Sequence, residues 1–262
     1  MTERIGATVV TGAANGIGRA IAMRLAGGGH HLALIDRDRD GLDDVAEAIR
    51  AAAAAPLTVT VHVADVADSG QVGAVIDEVE RVNAPIDSLA HAVGVLQTGA
   101  IVDADYADSR RTFDVNVMGV LNVAQAVGLR MRRRRAGSMV IVGSNSAGVP
   151  RANMGVYGAS KAAAEMLVRV VGLELAPYGV RANVVAPGST DTNMLRSMYP
   201  DRESMVRESI AGRQGDFRVG IPLGRIAEAD DVARAVEFLL SDGARHITMQ
   251  TIYVDGGAAL HA

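Results

Sequence analysis

The chain holds no cysteine and no tryptophan in 262 residues, and only three Phe and five Tyr. Without thiols there is no disulfide framework, no thiolate nucleophile and no Cys-ligated zinc, and no metal site is expected. No apolar run approaches the roughly 18–20 residues of a membrane span, so no membrane partner is expected. The opening residues, "MTERIGATVVTG", enter a strand-like run at once and contain no secretory hydrophobic region. A cytoplasmic protein is the expectation. An excess of one charge is also missing: 26 Lys and Arg stand against 30 Asp and Glu, a net −4. That balance gives no electrostatic case for nucleic acid. The one basic run, "RMRRRR" at 130–135, closes a helical pattern; it is expected to complement the helix C-terminus and stay solvated. What remains is a sequence 49% hydrophobic and 21% charged, which is globular in character.

Short apolar runs alternate with longer amphipathic segments from end to end. Runs at 7–12, 31–36, 57–65, 88–94, 138–143, 180–188 and 251–257 read as strands. Most are continuous Val, Ile, Ala and Leu, as parallel strands buried on both faces require. Helical periodicity occupies 16–26, 40–54, 69–82, 109–132, 157–176 and 230–240, and the polyalanine helix end is stopped by Pro56. Seven strands in alternation with helices predict an α/β fold: one doubly wound Rossmann-type domain over 1–262, its parallel sheet flanked by helices. The segment 189–224 interrupts the rhythm. It is polar, contains methionine and exceeds an ordinary αβ connection. Following a strand's carboxyl end, it reads as a substrate lid, the alternative being a decorative insertion.

"VVTGAANGIGRAIA" sets Gly12, Gly16 and Gly18 after the first strand and before the first helix. Gly12 suits a tight turn, while Gly16 and Gly18 let backbone N–H groups and the helix N-terminus approach a pyrophosphate. Asp36 ends the second strand, where a carboxylate accepts from ribose hydroxyls and repels a 2′-phosphate, favouring NAD over NADP. Arg37 is the neighbour that can accommodate a phosphate. Asp65 and Val66, after the third strand, are placed to meet the adenine; Asp65 serves equally as a helix N-cap.

Four residues carry candidate chemistry. Tyr157 and Lys161 are i and i+4 at a helix start, so they share a face. A phenol near pKa 10 is a poor base at neutral pH, and an adjacent ammonium favours its phenolate. Ser144 follows the fifth strand, and Asn116 sits mid-helix, where Asn is a mediocre choice unless its side chain is employed. Each taken singly has an ordinary structural reading.

Together, "TGAANGIG" (11–18), Asp36, "DV" (65–66), Asn116, Ser144 with "YGASK" (157–161), "PGSTDT" (187–192) and "VDGG" (254–257) resemble the short-chain dehydrogenase/reductase family over essentially the whole chain. The resemblance implies that Ser144 and Tyr157 bind the reacting oxygen and that the tyrosinate takes the proton. It implies that Lys161 lowers the Tyr157 pKa and holds the nicotinamide ribose, and that Asn116 anchors a proton-relay water. The cofactor set it implies is Gly12, Asn15, Gly16, Ile17, Gly18, Asp36, Asp65, Val66, Gly94, Tyr157, Lys161, Pro187, Gly188 and Thr192. One departure stands out: the family's Asn-Ala-Gly run after the fourth strand is "HAVG" (91–94) here, which puts His91 in place of a strand-tying asparagine. A core residue satisfying backbone groups is the expectation, ahead of a catalytic or metal-binding one.

Within that family, residues 143–163, 173–194 and 220–257 resemble the 2,3-dihydro-2,3-dihydroxybenzoate dehydrogenases of catechol siderophore pathways. The resemblance implies NAD-dependent oxidation of a C3 hydroxyl on a cyclohexadiene carboxylate, drawn downhill by aromatisation. Arg151, six residues before Tyr157, then becomes a candidate carboxylate fork, against the plain reading of a surface arginine. Met194 and Gln214 in the lid are further substrate candidates. Alternatives are a trans-2,3-dihydro-3-hydroxyanthranilate dehydrogenase of secondary metabolism and a 3-oxoacyl-carrier-protein-type reductase. A different class is a catalytically idle dinucleotide sensor. The family also implies a homotetramer pairing the helices that carry Asn116 and Tyr157.

Overall fold

A computed structural model describes residues 6–29, 31–53, 57–82 and 84–260. Its centre is a seven-stranded parallel sheet. The strands are β1 (Ala7–Thr11), β2 (His31–Asp36), β3 (Val59–Val63), β4 (Ile86–His91), β5 (Gly137–Val142), β6 (Val180–Pro187) and β9 (Thr251–Val254). Their order across the sheet is β3-β2-β1-β4-β5-β6-β9, the doubly wound arrangement that the alternation predicts.

Unbroken apolar runs become legible once the two faces are separated. Successive side chains on a strand point to opposite sides, and here both sides are covered. Val10, Leu34, Ala90, Val140 and Val185 pack toward Ile21 and Leu25 of α1 (Gly16–Gly27), Val45 of α2 (Arg39–Ala52) and Val236 of α9 (Ala229–Leu240). Their chain neighbours Val9, Ile35, Leu89, Ile141 and Val184 pack toward Ile76 of α3 (Ser69–Val82), Val123 and Val127 of α5 (Gly119–Arg134), and Val168 of α6 (Gly155–Leu175). Full burial of each such side chain stabilises the fold by about 1.5–3 kcal/mol.

Local chemistry moves several boundaries. β4 begins two residues before the apolar pattern and stops at His91, so Ala92–Gly94 leave the sheet as a loop. β9 ends at Val254 because Asp255 accepts from the Gly257 and Ala259 backbone N–H groups and folds the chain into a turn. Helix α2 starts at Arg39 because Asp38 accepts from Gly41 N; Pro56, the expected stop signal, lies outside the described residues. The pattern 109–132 resolves into α4 (Tyr106–Phe113), one π-helical turn at Asp114–Met118, and α5. Asp105 caps α4 by accepting from Asp108 N, which advances its start.

Arg132 to Arg135 are exposed at the end of α5, as expected of the basic run at 130–135, and arginines of the run also reach neighbouring elements. Arg130 bonds Asp77 of α3 and sits 3.5 Å from Glu80, and Arg134 bonds Glu80 and the Ile86 carbonyl. Arg132 and Arg135 lie 6.0 and 5.4 Å from the Tyr178 ring centroid. The run fastens α5 to its neighbours because α3 presents a row of carboxylates to it.

Segment 189–224 contains α7 (Asn193–Arg196), α8 (Arg202–Ala211) and a small hairpin of β7 (Gly212–Arg213) and β8 (Arg218–Val219). It is tied down from within: Met205 is fully buried, and Asp191 accepts from Arg196 at 2.7 Å and Arg202 at 3.3 Å. No helix among the described residues is long and apolar enough to cross a membrane.

Candidate active site

The sheet order reverses between β1 and β4, whose outward connections run opposite ways, and that opens a crevice at their carboxyl ends. The turn after β1 enters it. Gly12 has φ +72°, and a Cβ built on Gly18 would lie 2.0 Å from the Gly12 carbonyl oxygen. A side chain at either position is therefore incompatible with this turn. A groove runs from there past Asn15, Gly16 and Ile17 to Asp36, Asp65 and Val66, and on to Gly94 and Thr192.

Asp36 closes the groove's far end, its carboxylate accepting from the Ala14, Arg37 and Asp38 backbone N–H groups. Arg37 turns toward Asp65, 3.7 Å away. The capping role weighed for Asp65 falls to Asp68, which accepts from Gly70 N and Gln71 N at the start of α3. Asp65 instead accepts from Ala67 N and lines the groove.

A second cavity continues from the groove, sharing Ile17, Gly94, Thr192 and Met194 with it. Ser144, Tyr157, Lys161, Arg151, Pro187 and Gly188 all line this cavity. Ser144 sits where β5 ends; its Oγ accepts from Ser146 N at 3.1 Å, which fixes the side chain. Tyr157 and Lys161, one turn apart on α6, are both buried, with Lys161 Nζ 6.0 Å from the Tyr157 ring centroid. Lys161 donates to the Val142 carbonyl at 3.1 Å, so strand β5 positions the ammonium as well as Ser144. Burial pulls the Lys161 pKa down to about 8, against the pull of Glu165. Burial pushes the Tyr157 phenol up, while a hydrogen bond with Ser144 and the charge of Arg151 draw it back.

Asn116 is not in the cavity wall. It lies on the π-helical turn, fully buried, accepting from Val95 N and donating to the Val95 carbonyl and Ser160 Oγ. The side chain thereby fixes the loop that carries Gly94 and, through Ser160, the helix of Tyr157. The widened turn is the device that brings this amide inward.

His91 is a core residue, as expected, but its partner is a side chain: Nδ1 stands 2.8 Å from Thr11 Oγ1 across the β1–β4 pairing. Its Nε2 is buried without a hydrogen-bond partner, and burial, reinforced by Lys161, pulls its pKa from 6.5 to about 3. Above pH 6.5 folded and unfolded chains both hold it neutral. Between pH 6.5 and about 3 the unfolded chain binds a proton that the folded chain refuses, so stability falls as pH falls. One proton corresponds to a slope of up to about 1.4 kcal/mol per pH unit. We therefore expect His91→Asn to flatten the acid limb of urea-unfolding stability below pH 6.5. Parallel wild-type and variant limbs would contradict this placement.

Of the lid residues expected at substrate, Met194 lines the cavity. Gln214 does not: it is exposed on the 3₁₀ turn at the hairpin tip, directed away by the short β7–β8 pairing. The residue the hairpin delivers to the cavity is Arg218. No motif in the sequence marked it, since it sits in a segment without a periodic pattern.

A family model described as enoyl-(acyl carrier protein) reductase matches residues 12–259. The 2,3-dihydro-2,3-dihydroxybenzoate dehydrogenase of Bacillus subtilis (strain 168) is 44% identical over 255 residues, covering 96% of this chain and 95% of that protein. The chain belongs to the short-chain dehydrogenase/reductase family. The protein of the same name from Escherichia coli (strain K12) is 40% identical over 253 residues, covering 97% and 96% of the two chains. Among solved structures, a short-chain type dehydrogenase/reductase from Mycobacterium ulcerans superposes with a TM-score of 0.89 at 29% identity, covering 98% of this chain and 90% of that one.

Members of this family use a nicotinamide cofactor, and the groove fits one. A Cβ on Gly94 would come 3.0 Å from Lys161 Nζ, so this short-chain dehydrogenase/reductase keeps open the junction where the groove meets the Tyr157 cavity. The positive end of α1, beginning at Gly16, faces the same groove and suits a pyrophosphate.

Proposed function

We propose that this enzyme oxidises the C3 hydroxyl of 2,3-dihydro-2,3-dihydroxybenzoate to give 2,3-dihydroxybenzoate, using NAD, as a step in catechol siderophore synthesis. The observation that carries the reading is that Arg151 lines the same cavity as Ser144 and Tyr157. An alcohol-oxidising pair then faces a cation placed for a carboxylate on the same small ring. The names of the relatives in Bacillus subtilis and Escherichia coli support the same substrate.

In this reading Gly12, Gly16, Ile17 and Gly18 hold the pyrophosphate, and Asp36 holds the adenosine ribose hydroxyls. Asp65 and Val66 border the adenine, while Gly94, Pro187, Gly188 and Thr192 frame the nicotinamide. Bound there, the nicotinamide supplies the hydride acceptor. Ser144 Oγ and Tyr157 Oη hold the reacting hydroxyl, and Tyr157 takes its proton. Lys161 favours the phenolate by charge and holds the nicotinamide ribose. Asn116 keeps the Val95 loop and α6 in register around that proton path. Asp36 at the groove's end favours NAD, because a 2′-phosphate would meet a carboxylate already accepting from three backbone N–H groups.

Segment 189–224 acts as the substrate lid; Leu195, Met198 and Arg218 from it already line the cavity. A cytoplasmic homotetramer is the assembly we infer. Met166, Val170 and Leu173, spaced along one face of α6, are 56%, 42% and 63% exposed in the single chain, which supports coverage by a second copy.

The test is formation of reduced cofactor from 2,3-dihydro-2,3-dihydroxybenzoate and from trans-2,3-dihydro-3-hydroxyanthranilate side by side, each with NAD and NADP. Turnover should be fastest with the dihydroxy acid and NAD. Preference for the amino acid would move the reaction to 3-hydroxyanthranilate formation, and preference for NADP would overturn the role of Asp36.

A further inference from the structure

The cavity wall carries two guanidinium groups rather than one. Arg151 comes from the loop after β5, and Arg218 from β8 of the hairpin. Both line the Tyr157 cavity, and both line the adjoining outer cavity that also holds Leu96, Met154 and Met198. They are close enough that the charge of Arg218 depresses the Arg151 pKa, after burial itself. Two like charges thus face one partly desolvated space, an arrangement that costs free energy unless an anion joins them.

No carboxylate among the described residues does so. Most arginines of the described chain reach a carboxylate within 4 Å, as Arg24, Arg130, Arg196 and Arg213 do, but among the described residues neither Arg151 nor Arg218 forms such a pair. Among the described residues Arg218 donates to neutral hydroxyls, Tyr199 at 3.3 Å and Ser189 at 3.0 Å. Arg151 Nε is buried with no acceptor. Asp255 acts on Arg151 only from a distance, its carboxylate being committed to Asn145 Nδ2 and two backbone N–H groups. Asp216, in the outer cavity, faces Arg213 at 3.7 Å.

We propose that Arg218 and Arg151 are the two arms of a single clamp on the substrate carboxylate, and that the carboxylate, by joining them, fastens the 193–219 segment over the cavity. The proposal rests on the carboxylate-substrate reading above and adds to it a second recognition residue and a reason for the lid. Arg151 is anchored in the α6 entry loop, whereas Arg218 belongs to a hairpin held by a two-residue pairing. An anion bound by Arg151 alone orients the ring; one bound by both also pins the hairpin. Substrates without the negative charge leave the two cations opposed and the lid unfastened.

The experiment uses benzoate and benzamide as probes of the NAD-loaded enzyme, comparing wild type with Arg218→Gln, Arg218→Lys and Arg151→Gln. Calorimetric affinity for benzoate should fall roughly 10- to 100-fold in each Gln variant, the loss of one charge-assisted contact. Benzamide affinity should change far less, and Arg218→Lys should recover part of the loss. Benzoate should slow amide exchange across 193–219 in the wild type but not in Arg218→Gln. Wild-type benzoate affinity in Arg218→Gln, or equal losses for both probes, would overturn the clamp. So would unaltered exchange in the wild type. Failure to oxidise the dihydroxy acid while benzoate still binds through both arginines would overturn the substrate reading and leave the clamp standing. The converse, oxidation of that acid with an unaltered KM in Arg218→Gln, would remove the clamp alone.

Discussion

Tyr157→Phe is expected to lower turnover by about 10²- to 10⁴-fold, the range associated with loss of a positioned proton acceptor. At about 1.4 kcal/mol per decade this is roughly 3–5 kcal/mol of transition-state stabilisation. The substitution deletes one oxygen and keeps the ring. Tyr157 is 7% exposed, so the phenyl group remains packed at the entry of α6, and Lys161 keeps its bond to the Val142 carbonyl. Nothing in the groove of Gly12, Gly16 and Asp36 depends on the phenol. Affinity for NADH, read by fluorescence titration, should therefore stay within a few-fold of wild type while steady-state turnover collapses. Turnover within tenfold of wild type would withdraw Tyr157 from the proton path and leave Ser144 and Lys161 without a shared purpose.

The sequence carried the strands and the cofactor end well, for a definite reason. Parallel strands buried on both faces need continuous apolar runs, and Val9–Val10, Leu89–Ala90 and Val184–Val185 each divide their side chains between the two layers. The glycine turn was legible because its constraint is local: φ at Gly12, and the space between Gly18 and the Gly12 carbonyl, are set within seven residues. Ser144, Tyr157 and Lys161 were legible because β5 and α6 are consecutive in the chain, so one short stretch delivers all three.

Features set by distant packing were hidden. The π-helical turn at Asp114–Met118 does not alter the helical periodicity visible in "FDVNVMG", yet it decides where Asn116 points. The hairpin 212–219 is two residues per strand, too short for any alternation, so Arg218 and Gln214 were indistinguishable by pattern. Gln214 was the polar residue expected at the cavity, and Arg218 is the hairpin residue that lines it. The basic run at 130–135 likewise needed the knowledge that Asp77 and Glu80 lie opposite it.

Lys161→Met should change the pH dependence of oxidation more than any other property. The pair loses its first proton where loss costs least. Burial has pushed the Tyr157 phenol above its ordinary value of 10.0 and pulled Lys161 down to about 8, so the first proton leaves with an apparent pKa near 8 that belongs to both groups. The singly protonated pair exchanges between neutral amine with phenol and ammonium with phenolate, and only the second form accepts the alcohol proton. kcat/KM for oxidation should thus rise with unit slope below pH about 8 and level off above it. Removing Lys161 leaves the buried phenol with its pKa above 10, its desolvation offset only by the Ser144 hydrogen bond and the charge of Arg151. The ascending limb then moves up by at least about two pH units, from about 8 to above 10, and turnover at pH 7 falls by the factor through which the Lys161 charge had favoured the phenolate. The measurement is kcat/KM from pH 6 to 10.5 for both proteins, with thermal unfolding confirming that the methionine fills the buried space. A variant whose limb still turns near pH 8 would show that the titration belongs to another group, and the ammonium would then be a structural anchor for the Val142 carbonyl rather than the tuner of Tyr157.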